Sequence, residues 1–489
     1  MALTGEAALW DAWRPLAEKA LKGAPFDTLR TRIADGPTLE PIYPPRNPVY
    51  SGRPEAGPWQ VVQRVDGGAG PARQAREDLE NGATGLALVF AGAPGADGRG
   101  LLADTVDGLD EALAGILLDH CSVRLEAGAR GLPALALLLA LARSRGTPPM
   151  VLSGGVDPFG SLAAAGEGPA PETLAPLLAG MLRTADEAGL AGTLLTADAR
   201  PLAEAGATPA HEVAFALAAT AALARALDGE GIAPDVSLPA IEIALCADVD
   251  EFATIAKMRA ARRLHGLLAA ACGVDRPLTL HATTTARMLS FSDPQTNLLR
   301  LTIAAFAAGV GGADSVTVRA FDAAASPFAR RMARNVQTLL LEESHVDMLC
   351  DPAAGAGAIE AYTDAIAEEA WRLFQAYERE GLTAAIASGT VADAVTAAAE
   401  ASEAALADGE KVMIGVTRHP PPAPTPVPQI APVEAPTRHV RPVEGDGFAA
   451  LLAAAGAGAS LADLAAALPA STITAPPLPP ARAARPFEG

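Results

Sequence analysis

Between about residue 80 and residue 320, short β-rich runs alternate with Ala/Leu-rich stretches of helical character, and this alternation restricts the fold more than any other feature of the chain. The runs are TGLALVFAG, SVRLEA, PMVLSGG, GTLLTAD, DVSLPAIEIAL, PLTLHATTT and DSVTVRAF, with GLLADTV as a weaker eighth strand. Strands separated by helices have to run parallel. About eight of them in ~240 residues suit a closed (β/α)8 TIM-type barrel of the α/β class better than an open doubly wound sheet, which is the alternative.

The stretch after GTLLTAD shows the helical half of the pattern. Thr208 is placed to cap a helix and Pro209 fits its first turn, where a missing N–H costs nothing. Val213, Leu217, Thr220, Leu223 and Leu227 then line one face, and Gly229 ends it. In KMRAARR (257–263) the basic residues Lys257, Arg259, Arg262 and Arg263 flank Ile255, Met258 and Leu264, a spacing that predicts a solvated basic face over an apolar one. Residues 420 to 442, PPPAPTPVPQIAPVEAPTRHVRP, lack periodicity and read as an extended connector. Beyond it, FAALLAAAGAGASLADLAAAL (448–468) predicts two short helices, the second capped by Ser460, before a proline-rich tail. The chain thus divides into an arm (1–45), a barrel domain (46–415), a linker (416–446) and a helical appendix with its tail (447–489), too small to be an independent domain.

Charge and composition exclude several functions. With 37 Lys plus Arg scattered among 57 acids, the 489-residue chain carries a net charge of -20, which repels nucleic acid and anionic lipid alike. Cys121, Cys246, Cys272 and Cys350 stand far apart and form no C-x-x-C, so buried reduced thiols and a cytoplasmic location are expected. The first residues, MALTGEAALWDAWRPLAEKAL, lack the basic-then-apolar order of a signal peptide, and the longest apolar run (132–142) is too short to span a bilayer. His211, His345, His419 and His439 have no second ligand at metal spacing and read as surface residues, so no metal site is expected. Adjacent Glu342 and Glu343 point about 100° apart on a helix, a solvated face instead of an acid–base pair.

Five stretches occur in one order: LENGATGLALVF (79–90), EAGATPAHEVAFALA (204–218), IAKMRAARRL (255–264), DPQTNLLRLTIAAFAAGVGGADSV (293–316) and RRMARNVQTLLLEESHVDMLCDPAAG (330–355). With them the chain resembles the methylmalonyl-CoA mutase family over nearly its whole length, and within that family the small, non-catalytic subunit of the two-chain enzymes. The resemblance implies a barrel threaded by the pantetheine arm of a coenzyme A thioester, followed by a linker and a cobalamin-binding domain. In the active chain adenosylcobalamin homolyses and the substrate radical rearranges. That chemistry needs a hydrogen-bond donor to the thioester carbonyl, a cation for the free carboxylate and an aromatic wall for the radical.

At the matching positions this sequence departs from the active family. Arg200 and Pro201 stand where the resemblance places a Tyr-His pair, and WQVVQRVDGG (59–68) keeps Gln63 but has Arg64 in place of a second tyrosine. The stretch 154–182, where the carboxylate-binding arginine belongs, contains no Arg or Lys, and D-x-H-x-x-G, whose histidine ligates cobalt, is absent. The expectation is therefore a chain with no catalytic residues, no cobalamin-binding domain and no bound cofactor. It would support a large catalytic methylmalonyl-CoA mutase subunit that carries adenosylcobalamin and interconverts (R)-methylmalonyl-CoA and succinyl-CoA. The alternatives are a stand-alone acyl-CoA-binding barrel or an enzyme with altered thioester chemistry, in which Arg64 or Arg200 binds another substrate.

His281 shares a strand face with Thr279, Thr283 and Thr285. Those four residues would line a retained substrate channel, whereas the preferred reading is a filled barrel with a hydrogen-bonded core histidine. Asp293, Asn297, Arg300, Arg334, Asn335 and Gln337 read as structural. Trp10, Trp13 and Tyr43 are the candidates for partner contact, because the N-terminal region resembles an arm that embraces the other subunit.

Overall fold

A computed structural model describes residues 6–34, 38–67, 70–146, 151–427, 431–433 and 439–488. Parts of the proline-rich linker (428–430 and 434–438) and the start of the PMVLSGG run lie outside the described residues. Eight parallel strands close into a barrel: β1 (Gln60–Val65), β2 (Gly85–Val89), β3 (Ser122–Glu126), β4 (Val151–Val156), β5 (Ala191–Asp198), β6 (Ile241–Ala247), β7 (Thr279–Thr284) and β8 (Ser315–Thr317). Each pairs with its neighbours in chain order, and β8 pairs with β1 to complete the ring. The fold is therefore the (β/α)8 barrel that the alternation predicts.

One strand assignment is corrected. GLLADTV forms no strand, and Leu101 makes only an isolated bridge to Phe90. The remaining barrel strand is QVVQRV, upstream of the alternating region, whose Gln63 and Arg64 interrupt the apolar pattern because their polar groups are bonded inside the protein.

Local sequence accounts for the helix ends. The Pro209–Gly229 helix starts at Thr208, whose hydroxyl accepts from the His211 backbone N–H at 3.4 Å, and its predicted stripe is buried. It alone among the described residues is long and apolar enough to cross a membrane, and most of it is packed inside the helical layer. His211, read above as a surface residue, is half-buried, with Nδ1 2.7 Å from the Thr208 hydroxyl; His345, His419 and His439 are exposed. Of the cysteines expected to be buried, Cys121 and Cys246 are, whereas Cys350 is half-buried and Cys272 is exposed because it stands just past the end of the Glu251–Ala271 helix. The Gly131–Ser144 helix is apolar all round because the appendix covers its outer side: the Gly447–Gly456 helix packs on it and buries Phe448, Leu451 and Leu452. Ser460 caps the Leu461–Ala466 helix in a capping box with Asp463.

Buried polar side chains tie loops to helices. Asn297 accepts from the Ser290 N–H at 2.9 Å and donates to the carbonyls of Ser290 and Phe321 at 2.6 and 2.9 Å. The indole of Trp59 donates to Gln337 at 3.1 Å, and Arg334 bonds Asp78 at 2.5 Å.

The solvated basic face expected for KMRAARR is not found. On the Glu251–Ala271 helix Lys257, Arg259 and Arg262 are buried, because other parts of the chain bring acids to them. Lys257 pairs with Glu212, and Arg262 with Asp314 at 2.8 Å. Arg259, with no exposed surface, bonds Asp351, Glu360 at 2.8 Å and the Val49 carbonyl at 3.0 Å, and so joins this helix to the Gly357–Glu380 helix and to the segment entering the barrel. Removing one partner of a buried pair leaves the other desolvated and uncompensated. Arg259→Met should therefore cost about 3–5 kcal/mol in urea unfolding; a loss below about 1 kcal/mol would show that the cluster contributes little net stability.

Candidate functional site

Side chains on alternate positions of the barrel strands face the lumen, so a polar residue there must find its partner across the barrel. β3 contributes Arg124 and Glu126, β5 Thr196 and Asp198, β6 Glu242, β7 His281 and Thr283, and β1 Arg64. Deep in the lumen Arg124 pairs with Glu242 at 2.5 Å, and Glu242 also accepts from Ser153, Thr196 and Thr193 at 2.6, 2.9 and 3.3 Å. His281 is fully buried, with Nδ1 2.7 Å from the Ser315 hydroxyl and Nε2 3.1 Å from the Thr283 hydroxyl.

Above this layer Arg200 crosses the lumen. Its guanidinium bonds both oxygens of Asp198, at 2.8 and 2.6 Å, then Glu126 at 2.7 Å and Thr283 at 3.0 Å. Arg319, just beyond β8, bonds Asp97, Glu204 at 3.0 Å and the Thr284 carbonyl at 2.9 Å. Glu204 in turn accepts from the Thr285 hydroxyl at 3.2 Å and the Ala286 N–H at 3.0 Å.

The electrostatics follow from this geometry. Burial alone would raise the Glu126 carboxyl, but Arg200, Arg64 and Arg124 outweigh it and hold the group far below the usual carboxylate range. Burial, reinforced by Arg124 and Arg200, pushes His281 well below an ordinary imidazole. Glu126 is thus held ionised and His281 neutral. Among the described residues no three His, Cys, Asp or Glu stand together as a metal site.

The residues singled out in the sequence separate in space. Arg64, Arg200, His281 and Thr283 meet in the lumen, Thr285 lies at its upper rim, and Thr279 is exposed at the other end of β7. Pro201 is buried in the first turn of the Arg200–Ala205 helix. Ion pairs cross the lumen. Trp10 and Trp13 stack on each other, with ring centroids 5.5 Å apart, and each meets Phe26 edge-on. Tyr43 accepts from the Glu40 N–H at 2.9 Å and lies against Gly357. Arg124, Glu126, Glu242, Glu204 and Arg319 escaped sequence reasoning, although Arg-x-Glu inside SVRLEA places two opposite charges on one strand face.

The tail closes the outer end of this site. Thr472–Thr474 pairs antiparallel with Glu167–Pro169, after which the chain crosses the loops that follow β5 and β7. Ala481 donates to the Glu204 carbonyl and Ala483 to that of Arg287, each at 2.9 Å, and Glu488 accepts from the Phe291 N–H at 2.7 Å.

These features define a (β/α)8 barrel protein whose lumen is occupied by a buried ion-pair network and whose C-terminal mouth is spanned by its own tail. The sequence model for methylmalonyl-CoA mutase matches residues 42–445. The chain belongs to the methylmalonyl-CoA mutase family, and it is similar to the small subunits. It is 37% identical over 422 residues to the methylmalonyl-CoA mutase small subunit of Streptomyces virginiae, covering 81% of this chain and 66% of that protein. It is 37% identical over 388 residues to the probable small subunit of Mycobacterium bovis, covering 73% of this chain and 61% of that protein. A methylmalonyl-CoA mutase of Cereibacter sphaeroides is 27% identical over 457 residues, covering 84% and 64%. The chain thus spans just under two thirds of the length of these relatives.

Because the folded state holds His281 neutral, the unfolded chain binds more protons below the ordinary imidazole pKa. The stability contributed by neutral His281 is complete above about pH 6.5 and is lost as pH falls below it, at up to about 1.4 kcal/mol per pH unit. His281→Gln should make unfolding free energy fall less steeply between pH 6.5 and 5 in urea titrations. An unchanged slope would show that the imidazole is not held neutral.

Proposed function

We propose that the chain is a catalytically silent small subunit of a cytoplasmic, adenosylcobalamin-dependent methylmalonyl-CoA mutase. It supports, as a heterodimer, a large subunit that carries the cofactor and interconverts (R)-methylmalonyl-CoA and succinyl-CoA. The observation that carries this reading is the state of Arg200 and Pro201. Where the resemblance places the donor histidine stands Pro201, buried and without a side-chain donor, and the Arg200 guanidinium, in the neighbouring tyrosine's place, is committed to Asp198, Glu126 and Thr283. A donor saturated by internal acceptors has none left for a substrate carbonyl.

Three further features support it. Arg64 puts a buried charge where the radical chemistry calls for an aromatic wall. The residues at the mouth do not fit a corrinoid, since the tail lies across the face on which such a group would sit and no D-x-H occurs in the chain. The similarity to named small subunits supports a large-subunit partner. The arm offers a contact for it: Leu16 is 67% exposed beside the Trp10–Trp13–Phe26 cluster.

Co-expression tests the reading. The chain should co-purify with a larger subunit of the same family that contains D-x-H-x-x-G, and alone it should show no corrinoid absorption after gel filtration with adenosylcobalamin. Aromatic anchors contribute about 2 kcal/mol or more each at interfaces, so Trp10→Ala with Trp13→Ala should weaken association more than tenfold in analytical ultracentrifugation while the barrel melts normally. Succinyl-CoA formation by the purified chain alone would overturn the assignment of silence.

A further inference from the structure

Beside the ends of β8 and β1, under the edge of the tail, lies a cavity of about 260 Å³. At the ~30 Å³ that a water takes in the liquid, it has room for a molecule of roughly six to ten non-hydrogen atoms. One wall is apolar, made by Leu289, Phe291 and Val318. Pro480 and Arg482 form part of the roof, with Arg482 held 4.1 Å over the Phe291 ring and paired with Glu488 at 2.6 Å. Facing this wall is Arg64.

Arg64 differs from the other lumen arginines in its lack of a committed anion. Three carboxylates surround it, and each bonds another arginine more closely. Asp66 is 3.2 Å from Arg99, Glu126 is 2.7 Å from Arg200, and Asp97 pairs tightly with Arg319. Their distances to Arg64 are 4.0, 3.9 and 3.9 Å, beyond hydrogen-bonding range. Among the described residues the one hydrogen bond of its guanidinium runs from Nη2 to the Gly95 carbonyl at 2.7 Å. Arg64 is nevertheless buried, and burial together with neighbouring Arg319 lowers its proton affinity from the ordinary arginine value. A desolvated guanidinium with donors to spare stabilises an anion placed in a carboxylate's geometry. Asp322, the acid on the cavity's other side, is occupied by the N–H and hydroxyl of Ser326 at 3.0 and 2.5 Å.

We propose that this cavity is a binding site for a small organic carboxylate, with Arg64 as the counter-ion and the Leu289, Phe291 and Val318 wall receiving a short carbon chain. The apolar wall selects against inorganic anions, which would lose hydration there without replacement. The volume holds a short-chain acid and not a whole nucleotide thioester. The proposal stands apart from the role assigned to the chain within its complex and needs no partner subunit.

Calorimetric titration of the purified full-length chain with sodium butyrate is the test, with sodium sulfate and n-butanol as parallel probes. The expected result is saturable one-to-one binding of butyrate, a rise in melting temperature with butyrate concentration, and neither response with sulfate or butanol. Arg64→Gln should weaken butyrate binding at least tenfold. Ala320→Leu, which narrows the cavity and leaves every ion pair in place, should do the same, and it decides the matter if Arg64→Gln fails to fold. No saturable binding, equal binding of butanol, equal binding of sulfate, or butyrate affinity unchanged in the folded variants would each overturn the site.

Discussion

Among the described residues the barrel encloses four guanidinium groups, and three of them are balanced by closely bonded carboxylates in its buried interior. Arg124 is balanced by Glu242, Arg200 by Asp198 and Glu126, and Arg319 by Asp97 and Glu204. An unbalanced charge in such a setting costs several kcal/mol, so the network cannot lose one member without disturbing the others. Strand positions that in most barrels carry Val, Ile or Leu carry here a set of charges that fit only one another. This makes the lumen a core of unusual chemistry, polar in composition and held together by ion pairs.

The outer layer repeats the device. Arg259 stands between Asp351 and Glu360, and Arg263 reaches Glu360 and Asp364, so one helix gathers acids from two distant stretches of chain. Breaking a buried pair is costly, but making one is close to neutral against a well-packed apolar alternative. The physical value of such pairs lies in orientation, since a planar guanidinium accepts its partners from few directions. They orient the Gly357–Glu380 helix and the segment at Val49–Ser51 against the barrel. The tail gains its position differently, through backbone hydrogen bonds to loops whose carbonyls already face outward, which suits a proline-rich segment with few side-chain donors.

The protonation states in the lumen follow from the same constraint. Arg200, Arg64 and Arg124 hold the Glu126 carboxyl ionised, and burial beside Arg124 and Arg200 holds the His281 imidazole neutral.

Much of the fold was legible in the sequence. Alternating β-rich and helical runs specify parallel strands, and their number favours closure into a barrel, while Thr208, Ser460 and the stripe from Val213 to Leu227 mark helices through local rules of capping and periodicity. Arg64, Arg200 and Pro201 could be singled out in the sequence because a motif is a matter of order along the chain. β1 escaped because two of its buried residues are polar, and the basic helix was assigned to solvent because its acids lie 45 to 101 residues away. Glu126 and Arg200, 74 residues apart, meet only when the barrel closes. Local sequence determined which segments become strands and helices, since those preferences act over a few residues. Which charges are buried, and which anion each cation keeps, was decided by tertiary structure, because only closure of the ring removes the water that would otherwise have answered every charge separately.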